Sequence, residues 1–234
     1  RQIQSNIINE IESKLQSGYK KIIICAPTGV GKSLVGATVS NYFDSSFTVT
    51  ASKHLQDQYI KDIPFLKPVK GKQNFPCLKL MSAEKVENDR RAMRWGLTCD
   101  KGQCQEKVNK NGKEIVKICD FKPTIKQVED KTHDSASCHY YLQKYDALVS
   151  KHSLWNYHAF FTIMKYNKKL FADYLDRKVT VFDEAHKIED QIIQFVGFDI
   201  FAGQVDECNL NPDKYNFTDL DSMIQLTDDI AFSY

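Results

Sequence analysis

Two short segments of this 234-residue chain carry the residue types that phosphoryl transfer needs. The first, KIIICAPTGVGKS, occupies residues 21–33 and ends on Lys32 and Ser33, and the second, DEAH, begins with Asp183 and Glu184. A lysine can neutralise the β- and γ-phosphates of a nucleotide, and a serine hydroxyl can ligate Mg²⁺. An aspartate can hold the water shell of that Mg²⁺, and the glutamate can orient or deprotonate an attacking water. Together they predict a nucleoside-triphosphate site.

The elements around the lysine and serine fit a phosphate-binding loop. Residues 22–25 are apolar and mostly β-branched, which predicts a strand buried on both faces of a parallel sheet, and residues 34–42 predict a helix. Between them, the backbone N–H groups around Gly29, Val30 and Gly31 can face phosphate oxygens, next to the positive end of the helix. Strand, glycine-rich turn and helix in this order is the context that such a loop requires.

The apolar pattern elsewhere predicts more alternating strands and helices. A strand over residues 178–182 runs directly into the acidic pair, and open α/β sheets bind ligands at the carboxyl ends of their strands. The alternative is a plain acidic turn at a strand end. The other predicted elements are a helix over residues 3–15, a strand over 47–51, a helix over 52–63, a strand over 146–151 and a helical stretch over 153–175.

Composition limits the class of protein. The chain has 32 Lys+Arg against 30 Asp+Glu, so its overall charge does not indicate a nucleic-acid partner. It has no run of 18 apolar residues and no signal-peptide layout, and seven cysteines beside a nucleotide site suggest a reducing compartment and metal ligation. We therefore expect no membrane association and an intracellular location, cytoplasmic in a prokaryote or nuclear in a eukaryote. Cys25 is expected to be a small core residue, and Cys208 has no assigned role.

The segment from residue 67 to residue 144 differs from its surroundings. It contains 17 Lys+Arg against 10 Asp+Glu and five of the seven cysteines. A segment this long between two strands of one sheet is too long for a loop, which predicts an inserted subdomain. The segment is poor in apolar residues, so we expect bound metal to supply part of its folding free energy.

The insertion is also a candidate surface for nucleic acid. Its excess of positive charge lies in sequence beside Phe75, Trp95, Phe121, Tyr140 and Tyr141. Basic and aromatic side chains together suit a groove that follows a phosphate backbone and stacks bases. The alternative is a solvated basic surface whose aromatic rings pack around the metal.

Several motifs resemble those of the iron–sulfur helicases of superfamily 2, the XPD and DinG group. The loop has Ala26 where the usual pattern has glycine, as in the superfamily 2 form A-x-x-G-x-G-K-[ST]. Residues 71–77, GKQNFPC, resemble the entry to the cluster of that family, and residues 138–141, CHYY, resemble its exit. Residues 50–63 resemble a segment that touches the backbone of single-stranded DNA, although a serine-capped surface helix would give the same pattern.

The resemblance implies an α/β fold: a RecA-like P-loop domain with helices on both faces of a parallel sheet, interrupted by a small insertion stabilised by metal or a cluster. It assigns residues 1–66 and 145–190 to the RecA-like domain and residues 67–144 to a four-cysteine iron–sulfur insertion. It makes residues 191–234 the start of a helical, arch-like insertion. We then expect an N-terminal piece of a longer protein, in which a second RecA-like domain supplies arginine fingers.

The resemblance also implies the activity. The expected enzyme is an ATP-dependent DNA helicase that requires ATP and Mg²⁺, acts on single-stranded DNA and DNA forks, and usually travels from 5′ to 3′. Arg1 and Gln4 are implied to recognise the adenine. A monomer is expected, with DNA repair or transcription factors as candidate partners.

Four of the five cysteines of the insertion would hold a [4Fe–4S] cluster. Cys77 and Cys138 match the flanking motifs, and Cys104 and Cys119 are the preferred middle pair. Cys99 is left over and could replace Cys104. Four-cysteine zinc is the alternative, but zinc sites favour closely spaced cysteine pairs.

Two other classes of function remain open at this point. One is a nucleic-acid-binding ATPase that translocates or remodels without separating strands, with a zinc-stabilised insert. The other is a nucleotide switch without motor activity, which has less need of a glutamate such as Glu184 beside an attacking water.

Overall fold

The computed structural model describes residues 2–27, 29–110, 113–197 and 202–233. The strands are β1 (Ser46–Thr50), β2 (Lys67–Val69), β3 (Gln105–Lys110), β4 (Lys113–Ile118), β5 (His152–Asn156) and β6 (Val179–Phe182). The α-helices are α1 (Gln2–Gln16), α2 (Lys32–Tyr42), α3 (Lys53–Asp62), α4 (Leu78–Ala83), α5 (Asp89–Arg94), α6 (Ile125–Glu129), α7 (His139–Val149), α8 (Tyr157–Tyr166), α9 (Ala172–Leu175), α10 (Ile188–Val196), α11 (Ala202–Glu207) and α12 (Leu220–Ser233). Short 3₁₀ helices cover Lys72–Asn74, Ala185–Lys187 and Pro212–Lys214.

The chain divides into two compact units, residues 1–191 and residues 192–234. The second unit is helical and has its own small core, formed by Val205, Tyr215 and Leu226. None of the described helices has the length and apolar character that a membrane span requires.

A four-stranded parallel sheet forms the centre of the first unit, in the order β2-β5-β1-β6. Ser46 at the start of β1 pairs with His152 of β5 on one side and with Val179 of β6 on the other. The carboxyl ends of β1 and β6 therefore lie at the same edge of the sheet, which is the edge where the acidic pair follows β6.

Helices cover both faces of this sheet, as the sequence predicted. On one face Phe47, Val49 and Trp155 pack against α7 and α8 in the main core. On the other face, Leu154 packs with Ala37 of α2 and with residues of α3. Neighbouring residues Leu154 and Trp155 thus point to opposite faces and are both almost fully buried, as expected for a strand inside a two-sided parallel sheet.

The strand predicted over residues 22–25 is absent, although all four residues are described. The segment has no regular structure, Ile23 is 94% exposed, and Cys25 is exposed rather than part of the core. A strand needs a neighbour to satisfy its backbone hydrogen bonds, and β6 is the last strand of the sheet on that side within the described residues. Residues 22–25 do not pair with the open edge of β6, so their backbone is not part of the sheet.

The strand predicted over residues 146–151 is also wrong, because α7 continues to Val149. Tyr145 and Leu148 are buried on the same face of this helix, three residues apart, which is a helical rather than an alternating spacing. The strand begins at His152 instead. The other predicted helices and strands of the first unit form within a few residues of the expected positions, although the stretch over residues 153–175 opens with strand β5.

The cysteine-rich segment departs from the sheet after β2, since Lys67–Val69 still pairs with β5. It contains the antiparallel hairpin β3–β4 and the short helices α4, α5 and α6. Its apolar centres are small: one forms around three cysteines, and the other consists of Met81, Val86 and Ala92. The chain returns to the sheet through α7.

Candidate active site and cysteine cluster

The glycine-rich loop has the backbone shape that a phosphate site needs. Gly29 and Gly31 have φ angles of 81° and 88°, a region that glycine adopts readily and other residues rarely do. Gly31 directly precedes α2, so the unpaired N–H groups of the first turn, including those of Lys32 and Ser33, lie at the loop. An anion placed at this end of the helix would meet these donors and the positive end of the helix dipole.

Two side chains brace the loop. The Lys32 Nζ donates to the carbonyl oxygens of Ala26 and Pro27, each 3.1 Å away, so the ammonium group lies back across the loop. The Gln4 Nε2 of α1 donates to the carbonyl oxygen of Val30 over 2.9 Å. Gln4 is therefore in contact with the predicted phosphate loop, and its role in adenine recognition stays a prediction. Arg1, its predicted partner, lies outside the described residues.

The Asp183 side chain faces the loop across the edge of the sheet. Its position is set by the backbone, because the Asp183 N–H donates to the Val49 carbonyl over 2.8 Å and so extends the pairing of β6 with β1. Its carboxylate accepts a hydrogen bond from the Ser33 hydroxyl at 3.3 Å. The two residues predicted to hold Mg²⁺ and its water shell are thus adjacent.

Two tyrosines that the sequence reading did not single out also contact Asp183. The Tyr59 hydroxyl of α3 donates to the Asp183 carboxylate over 2.9 Å, and the Tyr157 hydroxyl donates to the Asp183 main-chain carbonyl over 3.1 Å. Burial and then the negative charge of Asp183 raise the pKa of Tyr59 above its ordinary value, and the same causes raise the pKa of Tyr157 to about 12. Both hydroxyls therefore remain donors at neutral pH.

Glu184 has an unusual backbone conformation. Its φ and ψ angles are 55° and 43°, in the left-handed region that few residues other than glycine adopt. Its carboxylate is partly exposed and lies 3.3 Å from the His186 Nδ1. A glutamate next to the aspartate predicted to hold the Mg²⁺ water shell, with access to solvent, is suited to act on an attacking water.

The five cysteines of the insertion meet at one small cavity, which is lined by Cys77, Cys99, Cys104, Cys119 and Cys138. Backbone hydrogen bonds fix their positions. Cys77 and Cys99 flank an antiparallel bridge, the Cys119 N–H donates to the Cys104 carbonyl over 3.1 Å, and the Cys138 N–H donates to the Phe121 carbonyl over 2.7 Å. The convergence was predicted for four cysteines; Cys99, the predicted spare, is in the cavity as well.

The Cys99 and Cys138 sulfur atoms are 3.8 Å apart, and the Cys99 Sγ is also 3.2 Å from the Pro76 carbonyl oxygen. The hydrogen bond between the two thiols, together with backbone N–H groups, lowers the pKa of Cys138 to about 6, and it raises the pKa of Cys99. The Cys99 thiol has one proton, which either the Cys138 sulfur or the Pro76 carbonyl oxygen can accept. Cys104 has a different neighbour, since the Lys72 Nζ lies 3.8 Å from its sulfur.

Residues 1–211 match the family described as Type III restriction enzyme, res subunit. The chain belongs to this family. The match covers the loop, the DEAH segment and the cysteine-rich insertion, and it makes the first unit a helicase-like domain of superfamily 2 with a RecA-like fold. Members of the family are ATP-hydrolysing enzymes of the helicase type. No curated protein matches the chain closely enough to count as a relative.

The metal-ligating groups that line the cysteine cavity of this helicase-like domain are thiols, which are soft ligands suited to zinc or to iron–sulfur clusters. Among the described residues, no three His, Cys, Asp or Glu side chains stand close enough together to hold a single metal ion. A [4Fe–4S] cluster requires a different arrangement of ligands. Each thiolate binds its own iron atom, so the cysteine sulfur atoms lie around a cubic cluster and are further apart than the ligands of a single metal ion. The cavity is lined by five thiols, one more than the four thiolates that such a cluster takes.

Four of the five aromatic residues predicted to stack on bases pack elsewhere. Phe75, Phe121, Tyr140 and Tyr141 lie against the cysteines and form their apolar shell. Trp95 is 54% exposed, and the Arg91 guanidinium lies 4.2 Å from the centre of its ring. The four rings are therefore partly buried around the cysteines, which is the packing that the alternative describes, and nucleic-acid binding by the insertion stays a prediction.

Three lysines of the helicase-like domain lie over aromatic rings near the cysteine cavity. The Lys72 Nζ is 5.8 Å from the centre of the Tyr140 ring, the Lys122 Nζ is 4.6 Å from that of Tyr141, and the Lys144 Nζ is 5.6 Å from that of Phe171. Burial, and then the charges of Lys122 and Lys72, lower the pKa of Lys144 to about 8. We name Lys72, Lys122 and Lys144 the lysine cluster; within the described residues it forms no ion pair.

Proposed function

We propose that this chain is the motor domain of an ATP-dependent DNA helicase of the iron–sulfur type, which moves along single-stranded DNA from 5′ to 3′. The observation that carries the proposal is the 3.3 Å contact between the Ser33 hydroxyl and the Asp183 carboxylate. It brings the glycine-rich loop and the acidic pair to one edge of the sheet, where a Mg²⁺-bound triphosphate would be held.

Each side chain of the site has a separate task in this proposal. The Lys32 ammonium would exchange the Ala26 and Pro27 carbonyl oxygens for phosphate oxygens, whose negative charge makes the stronger hydrogen bond. Ser33 and Asp183 would hold Mg²⁺ and its water shell, and Glu184 would position the attacking water. The Mg²⁺ ion would supply charge neutralisation between the phosphates.

The cysteine cavity supports the iron–sulfur part of the proposal. Cys77, Cys104, Cys119 and Cys138 would bind the cluster, with the Cys99 thiol as an inner neighbour that stays protonated against the Pro76 carbonyl. The adjacent Lys72 ammonium would offset part of the negative charge of four thiolates. A cluster bound here would stabilise an insertion whose own apolar centres are small.

The lysine cluster supports a nucleic-acid role for the insertion. Three ammonium groups without carboxylate partners in the described residues, each on a partly buried residue, favour an anionic ligand at this place. A DNA phosphate backbone is that ligand in the proposal, because backbone contacts require charge and no base recognition. Trp95 is the exposed aromatic residue that could stack on a base.

Two measurements test the proposed function. The first is binding of a fluorescent ATP analogue to the chain with and without Mg²⁺, and the second is ATP hydrolysis as a function of single-stranded DNA concentration. We expect Mg²⁺-dependent binding and weak turnover, because the second RecA-like domain would supply the arginine fingers. Absence of any nucleotide binding would refute the proposal.

Strand displacement on a forked DNA by the complete protein separates a helicase from an ATPase that moves without unwinding. Metal analysis and visible absorbance of the protein, purified without oxygen, separate an iron–sulfur cluster from zinc. A colourless protein containing zinc, with ATP hydrolysis but no unwinding, would favour a nucleic-acid-binding ATPase that moves or remodels without separating strands.

A further inference from the structure

The α3 helix is fixed to the nucleotide edge of the sheet at two buried points. The Gln56 Nε2 donates to the Val69 carbonyl at 3.0 Å and to the Leu154 carbonyl at 3.5 Å, so the helix is bound to β2 and β5. One turn later, the Tyr59 hydroxyl donates to the Asp183 carboxylate. Gln56 and Tyr59 are 1% and 2% exposed, so water does not compete for either contact.

Packing alone does not require the Tyr59 hydroxyl. The ring lies in the apolar cluster with Ile63 and Leu154, where phenylalanine would fill nearly the same space. The hydroxyl adds a single strong contact, directed at a charged group, and it is shorter than the 3.3 Å contact from Ser33 to the same oxygen. A hydrogen bond to a charged, buried acceptor is worth more than one between neutral groups.

Within the described residues, the Asp183 carboxylate accepts hydrogen bonds from three groups, which differ in how nucleotide binding would affect them. The Glu184 N–H, 3.0 Å from the other carboxylate oxygen, belongs to the backbone. The Ser33 hydroxyl is the group assigned to Mg²⁺, and since its oxygen would bind the metal through a lone pair, its position would be set by the metal and the loop. Tyr59 is the side-chain donor among the described residues that orients the carboxylate without itself being a proposed ligand.

We propose that Tyr59 is a positioning residue for Asp183, which holds this carboxylate in the orientation that coordination of the Mg²⁺ water shell requires. The inference rests on the proposed function and assigns α3 a part in hydrolysis.

The test compares Tyr59→Phe with Tyr145→Phe, which also removes a hydroxyl from a largely buried tyrosine but lies in the core on the other face of the sheet. We expect Tyr59→Phe to raise the Mg²⁺ concentration for half-maximal ATP hydrolysis about tenfold, the order expected for one hydrogen bond to a charged group. Binding of the fluorescent nucleotide without Mg²⁺ should be unchanged. Tyr145→Phe should leave the Mg²⁺ dependence as in the wild type.

Mg²⁺ dependence is a property of the folded molecules, so it separates positioning from stability. If Tyr59→Phe only lowers the unfolding temperature and keeps the wild-type Mg²⁺ dependence, the inference is wrong. If the proposed function itself is wrong, the result is different, because the wild-type chain would then bind no nucleotide at all. Tyr59 would in that case not position Asp183 for Mg²⁺.

Discussion

The Ser33 hydroxyl donates to the Asp183 carboxylate over 3.3 Å, although 150 residues separate the two in sequence. The contact depends on two local features: α2 begins at the glycine-rich loop, and Asp183 continues the pairing of β6 with β1. At Gly36, an added Cβ would lie 3.1 Å from the Val181 side chain, so α2 approaches β6 closely. The packing of this helix on the sheet therefore sets the geometry of the site.

Binding and hydrolysis should separate by mutation. We expect Lys32→Ala to weaken Mg²⁺-ATP binding about 10- to 100-fold, the loss expected for a charge-assisted hydrogen bond to phosphate. We expect Glu184→Gln to retain binding and to lower the hydrolysis rate by about 10²- to 10⁴-fold, the usual contribution of a general base. Equal nucleotide affinity in the wild type and Lys32→Ala would show that the loop is not the phosphate site.

The cysteines should differ in how much iron they hold. We expect Cys→Ser changes at Cys77, Cys104, Cys119 and Cys138 to remove most of the iron and visible colour, because serine offers a harder oxygen ligand. Cys99→Ser should retain both and change stability by about 1 kcal/mol. The measurements are iron content and visible absorbance of the five variants, purified without oxygen.

ATP-analogue binding is the control for the cysteine series, since the loop lies outside the insertion and should be unaffected in all five variants. Loss of iron in Cys99→Ser together with retention in Cys104→Ser would exchange the roles of these two cysteines. Equal colour in all five variants would exclude the cluster.

DNA binding should weaken as the pH rises through about 8, because Lys144, whose pKa is lowered to about 8, loses its charge there. The measurement is affinity for single-stranded DNA between pH 7 and pH 9 at constant salt, with Lys144→Gln as the comparison; this variant should bind more weakly and show a flatter profile. Affinity should also fall with salt, with a log–log slope of about −0.7 per phosphate contact. A pH profile identical in both proteins would contradict a role for Lys144.

The deprotonation of Lys144 that should weaken DNA binding at high pH should stabilise the folded protein. Its pKa in the folded protein is below the ordinary 10.5, so the unfolded chain binds more protons between these values. The free energy of unfolding should therefore rise as the pH increases from about 8 towards 10.5. Lys144→Met should remove this dependence, as measured by chemical denaturation at several pH values.

Two apolar substitutions should have very different costs. The Leu154 side chain of β5 is fully buried against the helices on one face of the sheet. Leu154→Ala should lower the free energy of unfolding by about 2–5 kcal/mol. Ile23, although equally apolar, is 94% exposed, and Ile23→Ser should change it by about 0.5 kcal/mol or less. A large loss of stability in Ile23→Ser would show that residues 22–25 are packed.

The sequence was informative wherever the local pattern decides the structure. Gly31, Lys32 and Ser33 predicted a turn followed by a helix, and α2 begins at Lys32. The β-branched run before Asp183 predicted β6. These elements depend on residues close together in the chain, which is the range over which periodicity and glycine placement carry information.

The sequence was not informative where the local structure depends on contact with residues far away in the chain. The apolar run at residues 22–25 has the composition of a strand, but a strand forms only beside another strand, and its own residues do not reveal whether one is there. The bond from Tyr59 to Asp183 likewise depends on how α3 packs. The motifs around the other four cysteines left Cys99 as a spare, whereas the fold brings its sulfur to 3.8 Å from that of Cys138.

The central position of β1 has a consequence for how the protein is made. Both of its neighbours come much later in the chain, since Ser46 pairs with His152 and with Val179. During synthesis, a short strand with two open edges must therefore wait until the whole cysteine-rich insertion has emerged from the ribosome. Unpaired strand edges promote association between chains. We expect slow translation of the insertion to cause aggregation through β1, and chaperones that shield strand edges to raise the yield.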